Sequence, residues 1–365
     1  MAQEFLATPK EPVPLHIPDG STVKVSIIDG TSRFVLPMFP FLSPEIEGKN
    51  KLTGPTYSFL IEHSSGKKIL FDLGVRKDWE NYAPKIVSAI RENGWQVSAE
   101  KDVACILQEN GVDLKSIHAV VWSHQHWDHI GDMTTFPTNT DVVVGPGFKD
   151  TYLPAYPTSK DSVLLESDLA NRNLREIDFA KEGNGLRLGR FNAVDYFGDG
   201  SFYLIDTPGH TVGHLCGLVR TTNDPSTFIF MGADAAHHGG EFRPTEYLPL
   251  PTNIDPSPIP RFHSGGCPGH LIVTAHPYKS ATRPFYDCTE ALNHNVEQAE
   301  WTISGLREFD AHENVFMVIS HDETLLNVLG FYPQYDANDW KKRNWRNLGR
   351  WRFLADFEAA IQEKQ

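Results

Sequence analysis

Between residues 123 and 129 the chain reads Ser-His-Gln-His-Trp-Asp-His, and this crowding of three imidazoles and a carboxylate constrains it more than any other stretch. The run follows directly on Ile117–Trp122, an apolar segment that reads as a buried strand. It therefore belongs on a loop at a strand's C-terminal end, where α/β sheets hold their ligands. Packing alone does not account for it, because so many polar rings buried without compensation are costly. Residues two apart in extended chain point the same way, so His124 and His126 can grip one ion together. Gly131 lets the chain turn, which carries Asp128 and His129 to the other side, where a second ion fits.

Other short apolar runs read as strands: Val23–Ile28, Tyr57–Glu62, Lys68–Phe71, Val142–Val144, Phe202–Asp206, Leu215–Arg220, Thr227–Met231, Ile272–Ala275 and Val315–Ser320. Helical spacing is predicted over Pro84–Asn93, Lys101–Asn110, Asn293–Glu308 and Phe353–Glu363. Strands interleaved with helices imply an α/β fold. Three of these strands end at further candidate ligands: His214 at the exit of the Thr207–His214 loop, Asp234 after Thr227–Met231, and His321 after Val315–Ser320. That every candidate follows a strand is the coherence one site requires. Ser58 to Asp72 and Leu215 to Asp234 both read strand, polar turn, strand, aspartate, a weak internal echo that suggests a duplicated half.

Sixteen histidines stand against four cysteines, with no CxxC pair, so a metal site here is built from imidazole and carboxylate. A net charge of −14 argues against nucleic acid or an anionic membrane as the main partner. The N-terminus lacks the apolar core of a secretory signal, and no apolar run is long enough for a membrane span. The default location is cytoplasmic. A homo-oligomer is compatible with the sequence but not readable from it. Trp340, Trp345 and Trp351 alternate with basic residues, and in so acidic a chain they are expected to pack on the body as a C-terminal cap, about 336–365.

The order His124-x-His126-x-Asp128-His129, His214, Asp234, His321 resembles the metallo-β-lactamase superfamily, from about Thr53 to Asp322. The resemblance implies a single domain over 1–365, a four-layer αββα sandwich of two similar halves, which accounts for the echo. It implies two zinc ions per chain, one held by His124, His126 and His214, the other by Asp128, His129 and His321, with Asp234 bridging. It also makes Asp72, in Lys68–Gly74, the residue that supports the metal loop from behind. Flavodiiron proteins of the superfamily typically carry Glu where His126 stands, so an iron redox role is disfavoured.

The segment 113–131 and the Asp206–His214 loop look most like acyl-homoserine lactonases and related lactone or lactam hydrolases. These usually carry a tyrosine three residues after the bridging aspartate; here that position is His237. Its imidazole either donates a hydrogen bond to a developing oxyanion or is a solvated loop residue. The long interval about 236–290 reads as specificity loops or a surface insertion, and Trp79 and Trp95 as an apolar wall over the site. The function implied is a binuclear zinc hydrolase that opens a cyclic ester or cyclic amide of a small-molecule substrate through a metal-bridging hydroxide. In that scheme Asp128 orients the hydroxide and passes a proton to the leaving group. The alternatives are a glyoxalase II-like hydrolase of thioesters or acyclic esters, and a metal-stabilised binding protein without catalysis.

Overall fold

A computed structural model describes residues 3–262 and 265–362 of the chain. One six-stranded sheet comprises β1 (Lys24–Asp29), β2 (Tyr57–Glu62), β3 (Lys68–Phe71), β4 (Ile117–Val121), β5 (Asp141–Val144) and β6 (Leu174–Glu176). A second comprises β7 (Arg187–Leu188), β8 (Phe191–Asp195), β9 (Phe202–Asp206), β10 (Leu215–Asn223), β11 (Ser226–Ala233) and β12 (Val315–Ile319). In both sheets the strands lie side by side in chain order. Each half contains an antiparallel hairpin, β2–β3 or β10–β11, whose second strand takes a parallel partner, β4 or β12. Parallel pairing needs a crossover, and this is where the helices enter. α1 (Pro84–Glu92) and α2 (Val103–Glu109) lie between β3 and β4, and α5 (Val296–Asp310) precedes β12.

Strand alternation builds the layers. Val25, Phe59, Ile61, Ile69, Phe71 and Val121 of the first sheet meet Phe202, Leu204, Val219, Ile229, Met231 and Val318 of the second in a central core. The intervening residues face outwards: Leu60, Leu70 and Val120 pack under Ile90, Ala104 and Leu107, while Tyr203, Leu218 and Phe230 pack under Ile303, Leu306 and Phe309. This is the four-layer αββα arrangement. Among the described residues no helix is long and apolar enough to cross a membrane.

A fourth apolar cluster lies outside the sandwich. It joins Met38 and Leu42, residues of the 236–290 interval such as Leu250, Ile272 and Tyr286, and Trp351, Phe353 and Phe357 of the tail. Ile272–Ala275, expected as a strand, belongs here to α4 (Gly269–Ala275). Its buried residues Gly269, Ile272 and Ala275 are three apart, the spacing of one helix face, which four apolar residues in a row do not reveal. Trp340 and Trp345 are buried in the central core, and the Trp340 indole stacks on Phe316 and donates to Thr221 Oγ1 at 3.2 Å. Trp340→Ala is expected to lower the unfolding free energy by about 3–5 kcal/mol, read from denaturant titration, because it removes a fully buried indole.

Candidate metal centre

Five strands deliver polar residues to one end of the sandwich: β3 ends at Asp72, β4 runs into the 123–129 loop, β9 leads to His210, β11 to Asp234 and β12 to His321. The 123–126 segment is bent rather than extended, yet the His124 and His126 rings still meet edge to face, 4.5 Å apart. His126 then caps α3 (Trp127–Ile130), which places Asp128 and His129 in its first turn. Two clusters of metal-ligating atoms result, one from His124, His126, His210 and Asp234, the other from Asp128, His129 and His321.

Asp234 lies between them. Its Oδ1 is 3.0 Å from His129 Nε2 and 3.0 Å from His321 Nε2. Its Oδ2 faces His124 Nε2 at 3.7 Å, His210 Nε2 at 3.6 Å and His237 Nε2 at 3.4 Å. Asp128 Oδ2 closes the second cluster at 3.5 Å from His321 Nε2. The far nitrogens of the rings are anchored from behind: His129 Nδ1 to Asp72 Oδ2 at 2.8 Å, His124 Nδ1 to Ser123 Oγ at 3.0 Å, and His321 Nδ1 to the Pro55 carbonyl at 2.8 Å. Asp72 also accepts the Ser123 backbone N–H and hydroxyl. Such partners fix which ring nitrogen is turned towards a metal.

Sequence reasoning places His214 in the first cluster, but the structure brings His210 there instead. The reason is the path of the Thr207–His214 loop. Gly209 takes φ +130° against α5, where a Cβ would lie 2.1 Å from the Ala299 nitrogen, and its carbonyl accepts the Asn295 N–H at 2.9 Å. This docking turns His210 inwards, with its Nε2 3.1 Å from His126 Nδ1. His214 stands behind it, outside the cluster, its Nδ1 3.0 Å from Thr207 Oγ1 and 3.1 Å from the Thr207 carbonyl and its ring centre 5.2 Å from that of His124. Two histidines four apart in one Pro/Gly loop offer no local signal to tell them apart.

Burial pushes the imidazoles of His124 and His210 well below their ordinary range, and that of His126 down to about 4, so their nitrogens keep lone pairs free for a metal. Burial opposes charge on Asp234 too, but the facing His129 and His321 rings hold its carboxyl well below the usual range. Nε2 of His124 and of His129 and Oδ1 of Asp234 are buried with no hydrogen-bond partner of proper geometry. Buried polar atoms left unpaired at one point are costly. Their convergence, with donors that are all imidazole nitrogen or carboxylate oxygen, fits divalent metal ions of the kind that catalytic zinc sites hold.

His126, Asp128, His210, Asp234 and His321 floor a cavity of about 250 Å³. Its walls are Phe34, Leu36, Phe41, Leu52, Ile86, Ala89, Trp95, Trp127, Val163 and Leu292, and none of its lining residues is Lys or Arg. Part of this wall is a three-stranded sheet, Arg33–Pro37, Lys51–Gly54 and Gln96–Ser98, for which the sequence reading predicted no strands. Of the two tryptophans expected to wall the site, Trp95 lines the cavity and Trp79 does not. His237 is not a solvated loop residue: it is 4 % exposed, stands edge to face on Phe41, and lines the cavity. Burial works against its protonation, but the Asp234 carboxylate beside it raises its pKa above the ordinary imidazole value.

The family profile described as Metallo-beta-lactamase superfamily matches residues 52–222. Gamma-lactamase FDB1 of Fusarium pseudograminearum (strain CS3096) is 46% identical over 361 residues, covering 96% of this chain and 87% of that protein. Metallo-hydrolase mfmC of Annulohypoxylon moriforme is 42% identical over 361 residues, covering 97% of this chain and 93% of that one. Among solved structures, AiiA of B. thuringiensis with N-decanoyl-L-homoserine at its active site superposes with a TM-score of 0.57 at 20% identity, over 86% of this chain and 100% of that chain. The chain belongs to the metallo-β-lactamase superfamily and is a metal-dependent hydrolase of that fold.

Behind α3, Arg76 pairs with Asp78 at 2.8 Å and Asp132 at 3.2 Å, and beside them the buried carboxyl of Asp168 is pushed up to about 7 by burial first and then by Asp132. A carboxyl whose pKa is raised by folding favours the folded state at low pH, and that contribution fades as pH rises through about 7. The protein should therefore lose stability between about pH 4 and 7, by at most about 4 kcal/mol from this group, with little further change above that, and Asp168→Asn should remove that part of the loss. Denaturant midpoints of both proteins across this range check it.

Proposed function

We propose that the chain is a two-zinc hydrolase that opens the ring of a neutral, apolar cyclic amide or cyclic ester. One observation carries this reading: the Asp234 carboxylate turns one oxygen to each of two imidazole clusters at the floor of an apolar cavity. In the proposal His124, His126 and His210, rather than His214, hold one ion, Asp128, His129 and His321 hold the other, and Asp234 serves both. Zinc bound there supplies Lewis-acid chemistry, bringing the pKa of water towards about 7 and drawing charge from a substrate carbonyl.

The residues of the chain do the rest. Asp128 accepts a proton from the attacking water as the new carbon–oxygen bond forms. The ring's carbon–nitrogen or carbon–oxygen bond then breaks, and Asp128 returns the proton to the departing nitrogen or oxygen. The products are one carboxylate and one amine or alcohol on the same molecule. His237, held at the cavity wall by Phe41 and Asp234, donates a hydrogen bond to the oxygen that gains charge. The aromatic and aliphatic walls exclude water and select uncharged substrates, because no basic side chain is there to pair with a carboxylate. A glyoxalase II-like substrate with free carboxylates lacks a cationic seat in this cavity. The gamma-lactamase name of a relative with 46% identity supports the cyclic-amide arm of the proposal.

Dialysis against a chelator is expected to abolish hydrolysis of a lactam and lactone panel, and zinc to restore it, with two zinc ions per chain by elemental analysis. Asp234→Asn should lose both activity and metal. His237→Phe should keep its zinc and lower kcat about 10- to 100-fold with little change in KM, the pattern of a donor that acts mainly in the transition state. Full activity in metal-free protein overturns the zinc reading, and full activity of His237→Phe overturns the role given to His237.

A further inference from the structure

Gln125 stands between His124 and His126, and nothing in the scheme above uses it. Apart from the two metal clusters and His237, it is the one polar residue among those lining the cavity; the others are aromatic or aliphatic. The residue is 8 % exposed, and its Oε1 is buried without a hydrogen-bond partner. Together with Val163 it also lines a second cavity of about 280 Å³, where Lys85, Tyr152, Ser159 and Asp161 are found. Gln125 is thus part of a partition whose carboxamide is not committed to a protein partner. Buried polar groups in folded proteins are ordinarily paired, and an exception at a ligand cavity calls for an explanation.

We propose that the Gln125 carboxamide reads the heteroatom of the substrate ring and selects cyclic amides over cyclic esters. The inference rests on the ring-opening reading above and deepens it. A secondary lactam is a cis amide, so its N–H donor and C=O acceptor lie on the same edge. A carboxamide also presents one donor and one acceptor on one edge, and its terminal torsion is soft and two-fold, so it can turn either atom to the cavity. Against a lactam it accepts from the ring N–H through Oε1 while its NH₂ reaches the carbonyl oxygen's second lone pair. Against a lactone only the second bond is possible. The ring oxygen then faces Oε1, acceptor to acceptor, and the buried acceptor stays unpaired. A site with a polar group placed for a substrate N–H discriminates against the analogue that lacks it, whereas an apolar wall does not. The backbone on either side is held by the two imidazoles that meet 4.5 Å apart, so the position of Gln125 is tied to the metal cluster.

The test uses the zinc-loaded full chain and three substrates of one bicyclic skeleton: oxindole, its N-methyl derivative and the benzofuranone in which oxygen replaces the N–H. The variants are Gln125→Leu and, as a more flexible isostere should the first fail to fold, Gln125→Met. Zinc content and melting temperature are checked in parallel. The expected result is a fall of about 10- to 100-fold in kcat/KM for oxindole, which loses its bond to the ring N–H with nothing gained in return. The benzofuranone and N-methyl oxindole, for which the variant removes the carbonyl bond and the unpaired Oε1 together, should each change by less than about 3-fold. Equal losses on all three substrates, or no loss on oxindole, overturn the proposal. Failure of the wild-type holoenzyme to open either the lactam or the lactone overturns the underlying reading instead, so the two failures are distinct.

Discussion

A single carboxylate organises this end of the molecule. Asp234 places Oδ1 3.0 Å from two imidazole nitrogens, while Oδ2 faces three more between 3.4 and 3.7 Å. In a buried setting such density of polar groups is tolerated only when something compensates every one of them. Behind the rings that compensation comes from Asp72, Ser123 and the Pro55 carbonyl; in front of them it is left to a cation. The two halves of the sandwich depend on each other through this point, because Asp72 and the 123–129 loop leave the first sheet while His210, Asp234 and His321 leave the second.

The second constraint is the apolar cover. A metal-bound site open to water loses much of its electrostatic advantage, since charges act most strongly where the dielectric is low. Here the cover comes from segments far apart in the chain. The small sheet around Phe34 and Leu52 and helix α1 supply half of the wall, and Phe41, Trp95, Trp127, Val163 and Leu292 the rest. The loop holding Met38 and Leu42 is packed into a separate cluster with the 236–290 interval and the tail. Phe41 belongs to both settings: it packs on that cluster and meets His237 in the cavity. Through Phe41 the cluster formed by the 236–290 interval and the tail is in contact with the cavity wall.

Much of the centre was legible before any coordinates. Six of the seven expected ligands, His124, His126, Asp128, His129, Asp234 and His321, fall within the two clusters or at their junction, because each directly follows an apolar strand whose end is easy to read. Asp72 is indicated by the resemblance of Lys68–Gly74 to the superfamily, and its carboxylate meets His129 Nδ1 at 2.8 Å. His214 lies outside the clusters and His210 inside, a difference the sequence does not show because a loop with Pro208, Gly209 and Gly213 carries no periodicity. The direction of His210 is set by contact with α5, whose residues begin 86 positions later in the chain. Trp79 and Trp95 looked equivalent as residues on either side of α1, and only packing separates the one that faces the cavity. The strands around Phe34 and Leu52 are short and interrupted by proline and glycine, so alternation had too few residues in which to show itself.

The sequence by itself determined the chemical inventory and its location: imidazoles and carboxylates instead of thiolates, at strand ends of an α/β fold, in an acidic chain. These are local properties, set by which residues are covalent neighbours and by the period of the strand that precedes them. Tertiary structure alone decided which of two loop histidines faces the centre, that His237 is buried, and that the cavity above them is apolar. Each of those outcomes depends on the relative placement of two sheets and the segments that pack over their end. Summed packing between residues far apart in the chain sets that placement, and no short window of sequence contains it.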